Sequence, residues 1–145
     1  PAILSRGYGA VSGGNEKETS SNDEYRVLAA NLPSIKHYQG ADRVACGREA
    51  LAGGSDILVL DDGFQHCRLH RDLDVVLLDA LRPFDNGRLL PAGLLREPVE
   101  TLARADLLGV TRVNLVSRQR RNAIGGFLKA RFPDVPVLFD RKSVV

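Results

Sequence analysis

The feature that most restricts the fold is a series of short runs with almost no polar residue, each separated from the next by other punctuation. Ile57-Leu-Val-Leu60 and Val75-Val-Leu-Leu78 are apolar at every position. Extended backbone of that composition needs cover on both faces, as strands of a parallel sheet have. Ala2–Leu4, Leu107–Thr111 and Val135–Phe139 read as further strands, and the second full run reaches back to Leu73. Helical stretches lie between several of them. Asn22 is placed to cap a helix to about Asn31 that Pro33 ends, with Asp23 and Glu24 in its first turn. Asp42 caps a second over Asp42–Ala52, stopped by Gly53-Gly54, and a third runs from about Arg118 to Arg131. The implied class is α/β, a mostly parallel sheet with helices on both faces. One interval breaks the alternation. Only about a dozen residues separate the strands at Leu60 and Leu73, too few for a helical crossover. Those two strands are expected to pair antiparallel or to lie in different layers.

Composition closes off other classes. The 145 residues suit one domain, and 20 basic against 18 acidic side chains leave +2, too little to imply a nucleic-acid partner. Cys46 and Cys67 form no C-x-x-C pair, which offers neither a disulfide framework nor a cysteine zinc site and favours a reducing compartment. No apolar run approaches the roughly 18 residues of a membrane span. The methionine count is zero and the chain opens on Pro1-Ala-Ile-Leu, so it is expected to be an internal fragment. Residues 10–21, rich in Gly, Ser, Asn, Glu and Lys, read as a mobile loop.

Two segments carry chemistry. Asp56-Ile-Leu-Val-Leu-Asp61-Asp62-Gly63 is an apolar strand that delivers two carboxylates at its carboxyl end, where open α/β sheets bind ligands. A Walker B element has this form and holds Mg²⁺; an Asp-Asp-Gly turn has it too. In Arg88-Leu-Leu-Pro91-Ala-Gly93-Leu-Leu-Arg96-Glu97-Pro98, Pro91 and Gly93 fix a turn and Pro98 can open a helix. Arg96 is then set to grip phosphate oxygens, or Arg96 and Glu97 form only a surface pair and cap. Asp23 and Glu24 suit a helix dipole equally well. His66 and His70 suggest a zinc pair less than a solvated loop. Seven basic residues against Asp106 alone between Ala103 and Arg131 fit an anionic lipid surface, or a solvated face.

Ser5-Arg-Gly-Tyr-Gly9, Asp23-Glu24, Leu60-Asp-Asp-Gly-Phe-Gln-His66 with Leu69-His-Arg-Asp-Leu73, and Leu90-Pro-Ala-Gly-Leu-Leu-Arg-Glu-Pro98 together resemble the tetraacyldisaccharide 4'-kinase family of lipid A biosynthesis, over residues 1–112. The resemblance implies a P-loop NTPase-like sheet, incomplete here, with the chain as the central part of the kinase domain. It implies transfer of the ATP γ-phosphoryl group, with Mg²⁺, to the 4'-hydroxyl of the lipid A disaccharide 1-phosphate. The setting it implies is peripheral, on the anionic cytoplasmic face of the Gram-negative inner membrane. Carried across, Asp23 is the base on the sugar hydroxyl, with Glu24 beside it. Its flanks, Asn22 and Tyr25, depart from the family's glycine and proline. Asp61 and Asp62 are the metal pair, Gln65 belongs to the same nucleotide-side signature, and Glu97 is a further metal carboxylate. Arg96 contacts phosphate, and Arg43 meets the substrate or the transferring group.

The family's Gly-Lys-Thr phosphate loop has no counterpart, since no Gly-Lys-Ser/Thr occurs among the 145 residues. On the resemblance, the family's membrane-associating N-terminal segment and the C-terminal part supplying a histidine partner for the base are expected to lie outside these 145 residues as well. The expectation is a chain inactive by itself. A non-catalytic α/β binding module and another P-loop NTPase remain as alternatives; the latter explains Asp61 but not the Leu90–Pro98 segment.

Overall fold

The computed structural model describes residues 1–6 and 23–140. The chain forms two compact units that meet in sequence at His70 and Arg71, each with a three-stranded, wholly parallel sheet. The expected loop over 10–21 and the expected cap at Asn22 lie outside the described residues.

In the first unit, β1 (Ala2–Ser5) lies between β2 (Lys36–Gln39) and β3 (Leu58–Leu60), and Leu4 stands opposite both Tyr38 and Leu60. Alternation divides the side chains between two faces. Ala2, Leu4, Tyr38, Leu58 and Leu60 point one way and pack on Cys46 and Ala50 of α2 (Arg43–Ala52). Asp42 starts α2 as expected, its carboxylate accepting from Val44 N at 3.0 Å and Ala45 N at 3.3 Å. Ile3, Ser5, His37 and Gln39 face the other way, toward α1 (Asp23–Asn31), whose Tyr25 ring stacks on His37. α2 covers one face of this sheet, and α1 meets the other through the Tyr25–His37 stack.

In the second unit, β5 (Leu107–Thr111) lies between β4 (Val75–Asp79) and β6 (Val137–Phe139). Leu108 and Val110 are fully buried, with Ile124 and Leu128 of α3 (Arg118–Arg131) and Phe132 just after it among the buried core residues of this unit. Each such side chain contributes about 1.5–3 kcal/mol. A Cβ on Gly125 would sit 3.1 Å from the Phe139 ring, so glycine lets α3 approach β6. On the other face Val75, Leu77 and Leu138 are exposed. A 3₁₀ helix over Val99–Arg104 follows Pro98, the residue expected to open a helix.

The α/β class and its parallel strands agree with expectation, but one continuous sheet does not form. The 14 residues between β3 and β4 make turns and no helix, so no crossover returns the chain to β3. The two strands neither pair antiparallel nor share a sheet. The strand β2 went unforeseen because Lys36-His-Tyr-Gln39 has no apolar periodicity. Among the described residues no helix is long and apolar enough to cross a membrane.

Candidate functional site

Because β1, β2 and β3 run parallel, their carboxyl ends share one edge. β3 delivers Asp61 there, anchored by Asp61 N donating to Leu4 O at 2.9 Å. Asp62 takes a left-handed backbone, φ 49°, that turns the chain sharply off the strand. Gly63 follows where a Cβ would strike the Leu60 side chain. Both aspartates and Gln65 are exposed. The Asp-Asp-Gly segment is thus a turn, as one of the two sequence readings has it, and that turn leaves both aspartates exposed.

The same edge receives Arg43, the first residue of α2, because β2 ends at Gln39 and α2 begins four residues later. Arg43 is only 8% exposed, and its Nε is buried without a hydrogen-bond partner. A buried cation normally has its charge paired, since desolvation costs several kcal/mol (roughly, per ion). Ser5, His37 and Gln39 also line this edge. The Ser5 hydroxyl lies 2.9 Å from His37 Nε2 and accepts from the Gln39 amide at 3.2 Å. Burial pulls the His37 imidazole below its ordinary value, while the nearby Asp61 carboxylate works to raise it. Sequence reasoning missed His37 and Gln39 along with β2. Asp23 and Glu24 occupy the first turn of α1, and their side chains lie outside the described residues.

Arg96 and Glu97 belong to the second unit. Their approach is a pinned loop. Asn86 Nδ2 donates to Ala92 O at 2.9 Å, and Gly93 N donates to Leu89 O at 3.0 Å. A Cβ on Gly93 would collide with Arg88 O and Asn86 Oδ1, so only glycine fits. Arg96 is exposed. Arg104 Nη2 donates to Glu97 Oε1 at 3.0 Å and lies 2.8 Å from Oε2 without hydrogen-bond alignment. That hydrogen bond, helped by the Thr101 hydroxyl against partial desolvation, holds the Glu97 carboxyl below its ordinary value.

Another strand end was overlooked. Asp79 closes the apolar run of β4 as Asp61 closes β3, but Asp79 is engaged by Arg112 and accepts from Leu81 N at 3.0 Å. The basic stretch is similarly committed. Arg104 and Arg131 pair with Glu97 and Glu100, and Arg120 donates to Ala80 O and Leu81 O at 3.3 and 3.2 Å. These partners account for much of the charge read as a lipid surface. Among the described residues no three His, Cys, Asp or Glu side chains gather as a metal site. The exposed Asp61-Asp62 pair is nonetheless a hard-oxygen donor set that fits Mg²⁺, which takes one or two carboxylates and completes its shell with water and phosphate oxygens.

A family model described as Tetraacyldisaccharide-1-P 4'-kinase matches residues 1–137. The chain is 44% identical over 123 residues to the "Tetraacyldisaccharide 4'-kinase" of Geobacter sulfurreducens, covering 77% of this chain and 35% of that protein. Identity is 46% over 121 residues to the protein of that name in Syntrophus aciditrophicus, 74% of this chain and 32% of that one. For Anaeromyxobacter sp. strain Fw109-5 it is 48% over 124 residues, 78% and 33%. The chain spans about a third of the length of these curated relatives. No solved structure matches.

Proposed function

The chain belongs to the tetraacyldisaccharide-1-P 4'-kinase family, and from that premise we propose that it supplies the metal and base side of an ATP-dependent kinase of the P-loop class acting on the 4'-hydroxyl of the lipid A disaccharide 1-phosphate. The observation that carries this reading is Arg43, a buried guanidinium without a partner at Nε, at the sheet edge that also presents Asp61 and Asp62. A cation so placed is completed by an anion, and a phosphate oxygen is the acceptor a planar guanidinium fits best.

In this reading Asp23 accepts the proton of the 4'-hydroxyl as its oxygen bonds to the γ-phosphorus and the bond to the bridging oxygen of ADP breaks. Glu24 supports the base. Arg43 holds phosphate oxygens in line, and Gln65 lies on the nucleotide side. Asp61 and Asp62 would hold Mg²⁺, which neutralises phosphate charge when bound. The enzyme would work peripherally at the anionic cytoplasmic face of the inner membrane, without nucleic acid.

Phosphoryl transfer depends on positioning and charge stabilisation, so a chain with no Gly-Lys-Ser/Thr neither holds ATP tightly nor turns over by itself. Incubating the 145-residue chain and the complete gene product separately with ATP and the disaccharide 1-phosphate tests this. Product is expected only from the latter, and 4'-phosphorylation by the short chain would refute the assignment of roles.

A further inference from the structure

We propose that His37 is a positioning residue of this site: its ring ties the first turn of α1, which bears Asp23 and Glu24, to the carboxyl ends of β1 and β2 beside Asp61. The inference rests on the reading of Asp23 as the base.

The described part of α1 is shallowly buried. Of its residues from Tyr25 on, only Tyr25 and Leu28 are even half-buried, and Val27 is 59% exposed. A helix without a buried stripe is poorly registered on its sheet. It meets the sheet through the Tyr25 ring, which lies 5.1 Å from the His37 ring, centroid to centroid, at an interplanar angle of 16°. Stacked rings contribute about 0.5–1.5 kcal/mol beyond burial.

The His37 ring is itself held in one orientation. Ser5 Oγ lies 2.9 Å from Nε2, and the Gln39 amide donates to the same oxygen, residues 32 and 34 positions apart in sequence from Ser5. Nδ1 is buried with no partner. The ring is therefore oriented by one hydrogen bond at its tip and one stack on its face, and rotating it forfeits both. A polar strand, Lys36-His-Tyr-Gln39, is otherwise a costly choice beside the apolar β1, and this tether accounts for two of its polar residues. Displacing a catalytic group by about 1 Å costs roughly 10²-fold in rate, which is the effect such a tether guards against.

The test uses the complete gene product. His37→Val suits a strand and removes the ring, so it separates positioning from folding. It is expected to lower kcat about 10- to 100-fold, with KM for ATP and the melting temperature little changed. His37→Phe, which keeps a ring over Tyr25, should recover kcat to within about threefold of wild type. Folded H37V with wild-type kcat, or H37F no better than H37V, overturns the inference. If H37V does not fold, Tyr25→Leu removes the same stack from the helix side and is judged by the same outcomes. Asp23→Asn separates the two readings. Loss of rate in D23N with full rate in H37V refutes the tether alone, whereas full rate in D23N refutes the base assignment and the tether with it.

Discussion

The strands β3 and β4 both end an apolar run in an aspartate, yet Asp61 and Asp79 are put to opposite use. Asp79 meets Arg112 just past the end of the neighbouring strand β5, and its other oxygen receives Leu81 N. Asp61 has β1 as its neighbour, which ends in Ser5, and among the described residues it forms no salt bridge. One carboxylate is consumed in closing a turn, and the other stands exposed. In one unit Arg112, the residue after β5, supplies the partner; in the other, β1 ends in Ser5, whose hydroxyl is committed to His37 and Gln39.

The contrast can be broken most sharply at the aspartates themselves. In the complete gene product Asp61→Ala is expected to cost at least about 10²-fold in kcat, the scale seen when a preorganised electrostatic contact to a transition state is lost. Asp79→Ala should leave kcat within about threefold and cost about 0–1 kcal/mol of stability, because the pair with Arg112 is largely exposed. Equal losses of rate would erase the distinction.

Arg43 sharpens the same comparison. Arg112 has its carboxylate, whereas Arg43 Nε has no partner. Arg43→Leu removes a buried guanidinium whose Nε has no partner, so the urea midpoint should stay or rise while kcat/KM falls roughly 10- to 100-fold, the worth of a charged hydrogen bond to phosphate. A lower midpoint with unchanged kcat/KM would make Arg43 a structural residue.

The smallest effect expected is at Asp42. Its carboxyl is held below its ordinary value chiefly by the Ala45 N–H, with Val44 N–H and nearby Arg68 and Arg48 adding to this against slight desolvation. A depressed carboxyl stabilises the fold fully above its unfolded-state pKa, and that contribution fades as pH falls through the folded-state value. Asp42→Asn keeps a capping oxygen but should flatten this acid-side loss in a series of melts. A wild-type slope in the variant would place the dependence elsewhere.

Much of this was legible in the residues. Asp42 and Gly53-Gly54 bound α2, Pro98 opens the 3₁₀ helix, and the apolar runs become parallel strands. Three features escaped for physical reasons. The strand β2 is polar because His37 and Gln39 serve the Ser5 network, so hydrophobic periodicity is silent there. The division into two sheets depends on the turn-rich stretch after Asp62, whose residues state only that a helix is absent. Whether a strand-end aspartate is free or paired is decided by a residue 33 positions away, as Arg112 is from Asp79, and no local pattern contains that information.

The central claim is that the carboxyl edge of the first sheet, at Asp61, is the metal side of a phosphoryl-transfer site. The most direct measurement is the Mg²⁺ dependence of 4'-phosphorylation by the complete gene product, compared between Asp61→Asn and Asp79→Asn. The account predicts that D61N loses Mg²⁺-supported turnover across the titration while D79N follows the wild-type curve. A D61N enzyme with the wild-type Mg²⁺ curve, or a D79N enzyme that loses it, would contradict the account.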